Sequence, residues 1–229
     1  MLIISTHLRE IEAAYRRLSY FVRYLRSRGV WASCLGFISI SRFGVLKPSR
    51  ECYSFPFVIP IRHILGLILE TILSLFTIIV ILIFRPRVII VSIPEAYPVI
   101  AVYLGSLLTK SKLIIDVRDP QEEILAYKYK RCFSGLIAKI FRKINYSIYK
   151  RADAVIGVTR TLVEMLAKTL HKPVYLAPNG ADLKVFVPID KRKAREMLGL
   201  NHDSFLITYI GTLTTRGYYD VLPVLKAIR

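Results

Sequence analysis

The chain has 229 residues, of which 54% are hydrophobic, enough to bury one large core or two small ones and too apolar for a disordered protein. Lysine and arginine outnumber aspartate and glutamate 34 to 16, a formal charge of +18, which favours nucleic acid, an anionic membrane surface or phosphorylated ligands as partners. The three cysteines, Cys34, Cys52 and Cys132, show no C-x-x-C spacing; this argues against a disulfide framework and a zinc site and makes a reducing, cytosolic setting the default.

In chain order, the apolar run at the start is too short for a secretory signal before Arg9 and Glu10 intervene, which predicts a cytoplasmic N-terminus. Leu2 to Ser5 suits a buried strand. From Glu10 to Gly29, Ile11, Ala14, Leu18, Phe21, Val22 and Leu25 fall at helical spacing, with acids in the first turn, arginines in the last and a closing glycine. Val30 to Phe37 reads as a second buried strand, and strand, helix, strand implies a right-handed parallel crossover. The pattern continues through Arg87–Ile93, Lys112–Val117, Asp153–Thr159 and Pro173–Ala177, each separated from the next by a helix-length segment. The expected fold class is therefore α/β, a doubly wound parallel sheet. Polar composition after Asn179 places a first domain at 1–180, a linker at 181–204 and a new strand and helix at 205–229, too little for a complete second domain.

Two segments raise the membrane. Ile64 to Phe84 has about the ~20 residues that a span needs. Against a span stand the polar stripe of Glu70, Thr71, Ser74 and Thr77, the flanking arginines, and strands on both sides that a single span would separate. A buried or surface-docked helix is the favoured reading. Tyr127 to Ala152 carries many basic residues and no acid, with Ile137, Ile140, Phe141, Ile144 and Ile148 on one helical face. Such a helix can lie on anionic lipid, or it can pack its apolar face on the sheet and leave its basic face in solvent.

No G-x-G-x-x-G, Walker-type loop or metal-spaced histidine set occurs, so no metal and no cofactor is expected. Ligands of parallel sheets bind at the carboxyl ends of the strands. Those ends carry Asp116, Arg118 and Asp119 in one loop, Asn179 and Gly180 in a second, and Gly211, Thr212 and Arg216 in a third. Gly180 permits a positive backbone dihedral, and Asn-Gly is also an ordinary turn. Gly211 lets a phosphate approach backbone amides at a helix N-terminus, with Arg216 as a fixed charge. Asp119 can orient a hydroxyl or stabilise developing positive charge, or it can cap the helix that begins at Pro120.

The stretches "RADAVIGVTRTLVEML", "VYLAPNGADLKVFVP" and "REMLGLNHDSFLITYIGTLTTRGYYDVL" resemble the middle of the family 4 glycosyltransferases, two-domain enzymes of the GT-B fold that use nucleotide-sugar donors. The resemblance runs from about Arg85 to Arg229. It implies a Rossmann-like acceptor domain followed by the start of a donor domain, and transfer with retention and without a metal. Arg118 and Asp119 then stand near the transferring sugar, Gly211, Thr212 and Arg216 at the donor phosphates, and His7, Arg9 and Asn179 within reach of acceptor or donor. Thr212 stands where the family often has a basic residue, Arg216 takes the place of a lysine, and "STHLREIEAA" replaces a glycine pair after the first strand.

The leading expectation is thus the acceptor-side portion of a glycosyltransferase, peripheral on the cytoplasmic face of the cell membrane. It would move sugar from a nucleoside diphosphate to a lipid-linked or glycan acceptor, with a separate donor-domain chain as partner and no nucleic acid. Two alternatives stand beside it: a catalytically silent membrane-docking subunit or remnant, and a small integral membrane protein.

Overall fold

Strands covered on both faces read as near-continuous apolar runs, and two of the predicted runs mark strands to within one residue. In the computed structural model, which describes residues 1–7, 13–39, 52–58, 75–93, 98–120, 123, 132–210 and 221–227, the chain divides into two units, Met1–Gly180 and Ala181–Arg229. The strands are β1 (Leu2–His7), β2 (Ser33–Ser39), β3 (Cys52–Val58), β4 (Val88–Ile93), β5 (Lys112–Val117), β6 (Ala154–Gly157) and β7 (Tyr175–Leu176). They form one seven-stranded sheet in the order β3-β2-β1-β4-β5-β6-β7, with every neighbouring pair parallel. The register aligns Ile4 with Val91, Val91 with Ile115 and Ile115 with Val155, a row of buried side chains across four strands.

The helices of the first unit are α1 (Ala13–Ser27), α2 (Phe76–Phe84), α3 (Pro98–Thr109), α4 (Cys132–Arg151) and α5 (Arg160–Leu170). Side chains alternate across a strand, so each strand feeds two cores. Ile3, Cys34 and Ile90 meet Leu18 and Val22 of α1 on one face. On the other face Ile4, Val91, Ile115 and Val155 pack with Val80 and Ile81 of α2, Val99 and Val102 of α3, Ile148 and Tyr149 of α4, and Leu162 and Leu166 of α5. The fold is a Rossmann-like, doubly wound α/β sheet. Gly105 lets α2 and α3 approach closely, since a Cβ there would lie 2.8 Å from Cδ1 of Ile81. Thr159 caps α5 by accepting from the Leu162 amide at 3.2 Å.

Several expectations are corrected. β3 went unread: Pro56 interrupts a short run of mixed polarity, a pattern that argues against a strand and is tolerated at a sheet edge. That omission also hid a disulfide. Cys34 is disulfide-bonded, and Cys52 is its register partner across the β2–β3 ladder, a neighbour invisible without β3. Of Ile64 to Phe84, only Leu75 to Phe84 lies within the described residues, and among those residues no helix is long and apolar enough to cross a membrane. Gly180 does not have a positive φ; among the described glycines only Gly29 and Gly199 do.

The second unit contains α6 (Lys191–Met197) and α7 (Leu222–Ala227). Asp190 caps α6 by accepting from the amides of Arg192 and Lys193 at 3.0 and 3.1 Å. The expected strand at Phe205 to Ile210 is not one. No described strand pairs with these residues, and Phe205 and Ile210 are 90% and 93% exposed, because a strand without a ladder partner has nothing to satisfy its backbone or cover its apolar face.

Candidate functional site

The strand order reverses between β1 and β4: β1 leads through α1 toward β2 and β3, whereas β4 leads through α3 toward β5, β6 and β7. In open parallel sheets the crevice beyond the carboxyl ends at such a switch point is where ligands bind. His7 ends β1, Ser92 and Ile93 end β4, and Asp116 and Val117 end β5, with Ser92 and Asp116 side by side in register. Both side chains turn to the α1 side, where Arg17 sits one turn into the helix.

Arg17 is the centre of the polar structure at this edge. Its side chain is 4% exposed, and that of Asp116 is fully buried. Nε donates to Asp116 Oδ2 at 3.1 Å and Nη2 to Asp116 Oδ1 at 2.8 Å, the bidentate geometry that suits a guanidinium and a carboxylate. Ser92 Oγ adds a further bond to Asp116 Oδ2 at 2.8 Å. The remaining guanidinium donors reach across to the chain after β7: Nη2 to the Ala177 carbonyl at 2.8 Å, Nη1 to the Pro178 carbonyl at 3.2 Å and to Asn179 Oδ1 at 3.1 Å. All five N–H donors of an arginine are thereby used. The Phe21 ring lies 4.7 Å from the guanidinium carbon and closes its flat face. A buried charge is tolerated only when so completely paired.

This latch joins three elements distant in sequence: α1, the end of β5, and the Pro-Asn-Gly loop at the end of the first unit. Its effect is to hold residues 177–179 against the carboxyl edge of the sheet. Asn179 is thus at the site, with its side-chain oxygen committed to Arg17.

Arg118 and Asp119 follow directly after β5. The Arg118 amide donates to the Ile93 carbonyl at 3.2 Å, which carries the β4–β5 pairing one step further, and Arg118 is half-buried while Asp119 is exposed. The Glu123 amide donates to the Pro120 carbonyl at 3.0 Å, and the Glu123 carboxylate pairs with Arg142 at 2.8 Å and accepts from the Tyr146 hydroxyl at 3.1 Å, which ties the loop after β5 to α4. His7 is placed by its backbone at the switch point. Arg9, Gly211, Thr212 and Arg216 lie outside the described residues. Among the described residues no three His, Cys, Asp or Glu gather to hold a metal.

Sequence reasoning missed Arg17 and named Asp116 at the end of its strand without assigning it a partner or a role. The available signal was a charged residue between Ala14 and Leu18, flanking the apolar stripe of a helix, together with an acid inside an otherwise apolar strand. An acid inside a buried strand needs a partner, and α1 packs on the face of the sheet to which Asp116 turns.

Fold and edge together define a Rossmann-like α/β protein whose polar groups converge at the carboxyl ends of its strands. Among solved structures, the chain is similar to a UGT transferase from Siraitia grosvenorii in complex with UDP, at 8% identity and a TM-score of 0.48, covering 86% of this chain and 54% of that one. The chain therefore spans about half the length of that structure. No protein-family model matches the sequence, and no curated protein matches it significantly.

Proposed function

We propose that the chain is the acceptor-side portion of a retaining, GT-B-type glycosyltransferase, working on an anionic membrane face. It would take a sugar from a nucleoside diphosphate donor to a lipid-linked or glycan acceptor, with donor-binding residues beyond the first unit supplied by a partner chain or by further sequence. The observation that carries this reading is the Pro178-Asn179-Gly180 loop fastened by Arg17 to the end of β5. The loop belongs to the stretch whose sequence resembles the family 4 enzymes, and it sits at the edge where a parallel sheet receives ligands.

In this mechanism Arg17 and Asp116 are positioning residues. They hold the loop and the segment carrying Arg118 and Asp119 in fixed relation. Asp119, exposed beyond β5, would orient the acceptor hydroxyl and accept its proton as the new glycosidic bond forms. Arg118 would set the local positive potential toward the donor diphosphate. Gly211, Thr212 and Arg216 would cradle that diphosphate.

A second reading, a catalytically silent docking subunit, draws support from the saturation of the Arg17 donors: a network that spends every donor on the protein itself is a structural latch first. Calorimetry with uridine, guanosine and adenosine diphosphate sugars separates the two. Transfer predicts micromolar binding of one donor class by the chain alone or with its donor half, weakened about tenfold or more by Arg216→Ala, a loss of one charge-assisted contact. Absence of binding to every donor in both formats would leave the silent subunit.

A further inference from the structure

The helices of the first unit present a surface that a water-facing domain would not. α2 has the sequence FTIIVILIF, and its only polar side chain, Thr77, points into the core. Its outer positions are therefore apolar without exception, with Ile79 exposed and Ile83 72% exposed. A helix apolar on all sides belongs in a core or against lipid. α3 lies against it through Gly105 and carries no charged residue, and its outer positions Leu104, Leu107 and Leu108 are exposed, the last by 65%. Ser111 Oγ donates to the Pro86 carbonyl at 2.5 Å, so the ends of α2 and α3 are fastened side by side.

α4 extends this surface. Ile140, Ile144 and Ile148 follow at four-residue spacing and share one face, but the core covers only its inner margin. Ile148 is buried, with Ala138 and Tyr149, whereas Ile144, Ile140 and, one turn earlier, Leu136 are exposed along the outer margin of that face. The lysines border this exposed apolar margin. Lys139, Arg142, Lys143 and Lys150 line a groove of about 480 Å³ with Thr169 of α5, which leaves Ile140 and Ile144 on the side toward α3. Arg142 is engaged with Glu123, and no acidic residue occurs anywhere in α4. At the opposite margin Arg85, Arg87 and Lys110 are exposed just beyond the ends of α2 and α3.

We infer that the outer faces of α2, α3 and α4 form one platform that docks on an anionic lipid bilayer, its leucines and isoleucines entering the interface while the bordering lysines and arginines engage headgroup phosphates. The inference gives a place to the membrane contact proposed above and rests on that part of the reading, not on sugar transfer. Charge selects the occupant. A second copy of the chain would bring two cationic margins together, a repulsion that an anionic bilayer turns into attraction. Long basic side chains can also extend from an apolar stripe to the headgroup level, which fits cations set beside the stripe and not opposite it.

The test is sedimentation of the full chain with phosphatidylcholine vesicles, with and without phosphatidylglycerol. Two exposed-site double variants accompany it, Ile83→Asp with Leu108→Asp and Lys143→Glu with Lys150→Glu, each checked for parental folding by circular dichroism. The parent should partition onto anionic vesicles and much less onto neutral ones, with binding reduced by added salt. Each double variant should bind anionic vesicles at least tenfold more weakly, the order expected for two interfacial charges. If the parent ignores anionic vesicles, the membrane contact itself is wrong. If the parent binds and both folded variants bind equally well, the platform is wrong while membrane contact stands. A dimer in analytical ultracentrifugation that Ile83→Asp with Leu108→Asp dissolves would replace the bilayer with a second copy.

Discussion

Replacing Arg17 by methionine keeps most of the aliphatic stem against Phe21 and removes the charge. Asp116, fully buried, would retain only the Ser92 hydroxyl, at 2.8 Å, as its partner among the bonds described above. Breaking a buried pair from one side costs about 3–5 kcal/mol, because the remaining charge stays desolvated. For a unit of this size that corresponds to a fall in Tm of about 6–20 °C. The loop should respond more than the fold does. The Ala177 and Pro178 carbonyls and Asn179 Oδ1 lose their donor at once, so amide exchange at 177–180 should accelerate while exchange in β4 and β5 rises only as global stability falls. Arg17→Met combined with Asp116→Leu removes both charges and should cost less than the sum of the single variants, a coupling that urea titration of the four proteins measures. Single variants within 1 kcal/mol of the parent, or costs that simply add, would refute the latch as an energetic unit.

The close packing of α2 on α3 gives a second expectation. Gly105→Ala puts a methyl 2.8 Å from Ile81 Cδ1 and 3.2 Å from its Cβ and Cγ2, against a fully buried side chain that must shift to admit it. Overpacking of about 1–3 kcal/mol should outweigh the ~1 kcal/mol that alanine returns in helix propensity, and adding Ile81→Val, which deletes Cδ1, should recover part of the loss in urea titration. The third expectation concerns acid. Asp153 accepts from Lys112 Nζ at 2.8 Å and from the Leu113 amide at 2.8 Å, and the Lys112 hydrogen bond foremost holds its carboxyl below the ordinary 3.8, with burial opposing. A depressed folded value means that the pair's contribution is complete above pH 3.8 and fades as pH falls through the lower folded value. The Lys112 side chain is largely in solvent and that of Asp153 is more than a third exposed, so the effect is small and salt-sensitive. Melts of the parent and Asp153→Asn should differ at neutral pH and converge in strong acid; an undiminished difference there would reject the assignment.

β4 and β5 were legible because burial on both faces writes itself into sequence as a near-continuous apolar run, VIIVSI and KLIIDV. β3 was not, since CYSFPFV carries a proline and polar residues that an edge strand tolerates and a sequence pattern penalises. At the carboxyl edge, the sequence singled out the loop after β5 and the Pro-Asn-Gly loop but not the arginine that joins them. Arg17 and Asp116 are 99 residues apart and Arg17 and Asn179 are 162 apart, so only the sheet brings them together. An arginine in an amphipathic helix reads as a solvated residue unless the strand opposite it is known. α4 shows the converse failure: periodicity detected its isoleucines, but a period alone does not say how much of one apolar face the core covers and how much is left exposed.

The alternation of β5 also separates the two functions proposed for the first unit. Leu113, Ile115 and Val117 enter the core shared by α2, α3, α4 and α5, whereas Ile114 and Asp116 turn toward α1. The latch that fixes the Pro-Asn-Gly loop therefore lies on one side of the sheet and the lipid platform on the other, with a layer of buried aliphatic side chains between them. Charge changes on the outer positions of α2, α3 and α4 act at solvent-exposed side chains and leave Arg17 fully paired, so they should alter vesicle binding without altering amide exchange at 177–180. Arg17→Met should do the reverse, provided the unit stays folded. Independence of this kind follows from the period of two along a strand, which lets one element serve two faces with different chemistry.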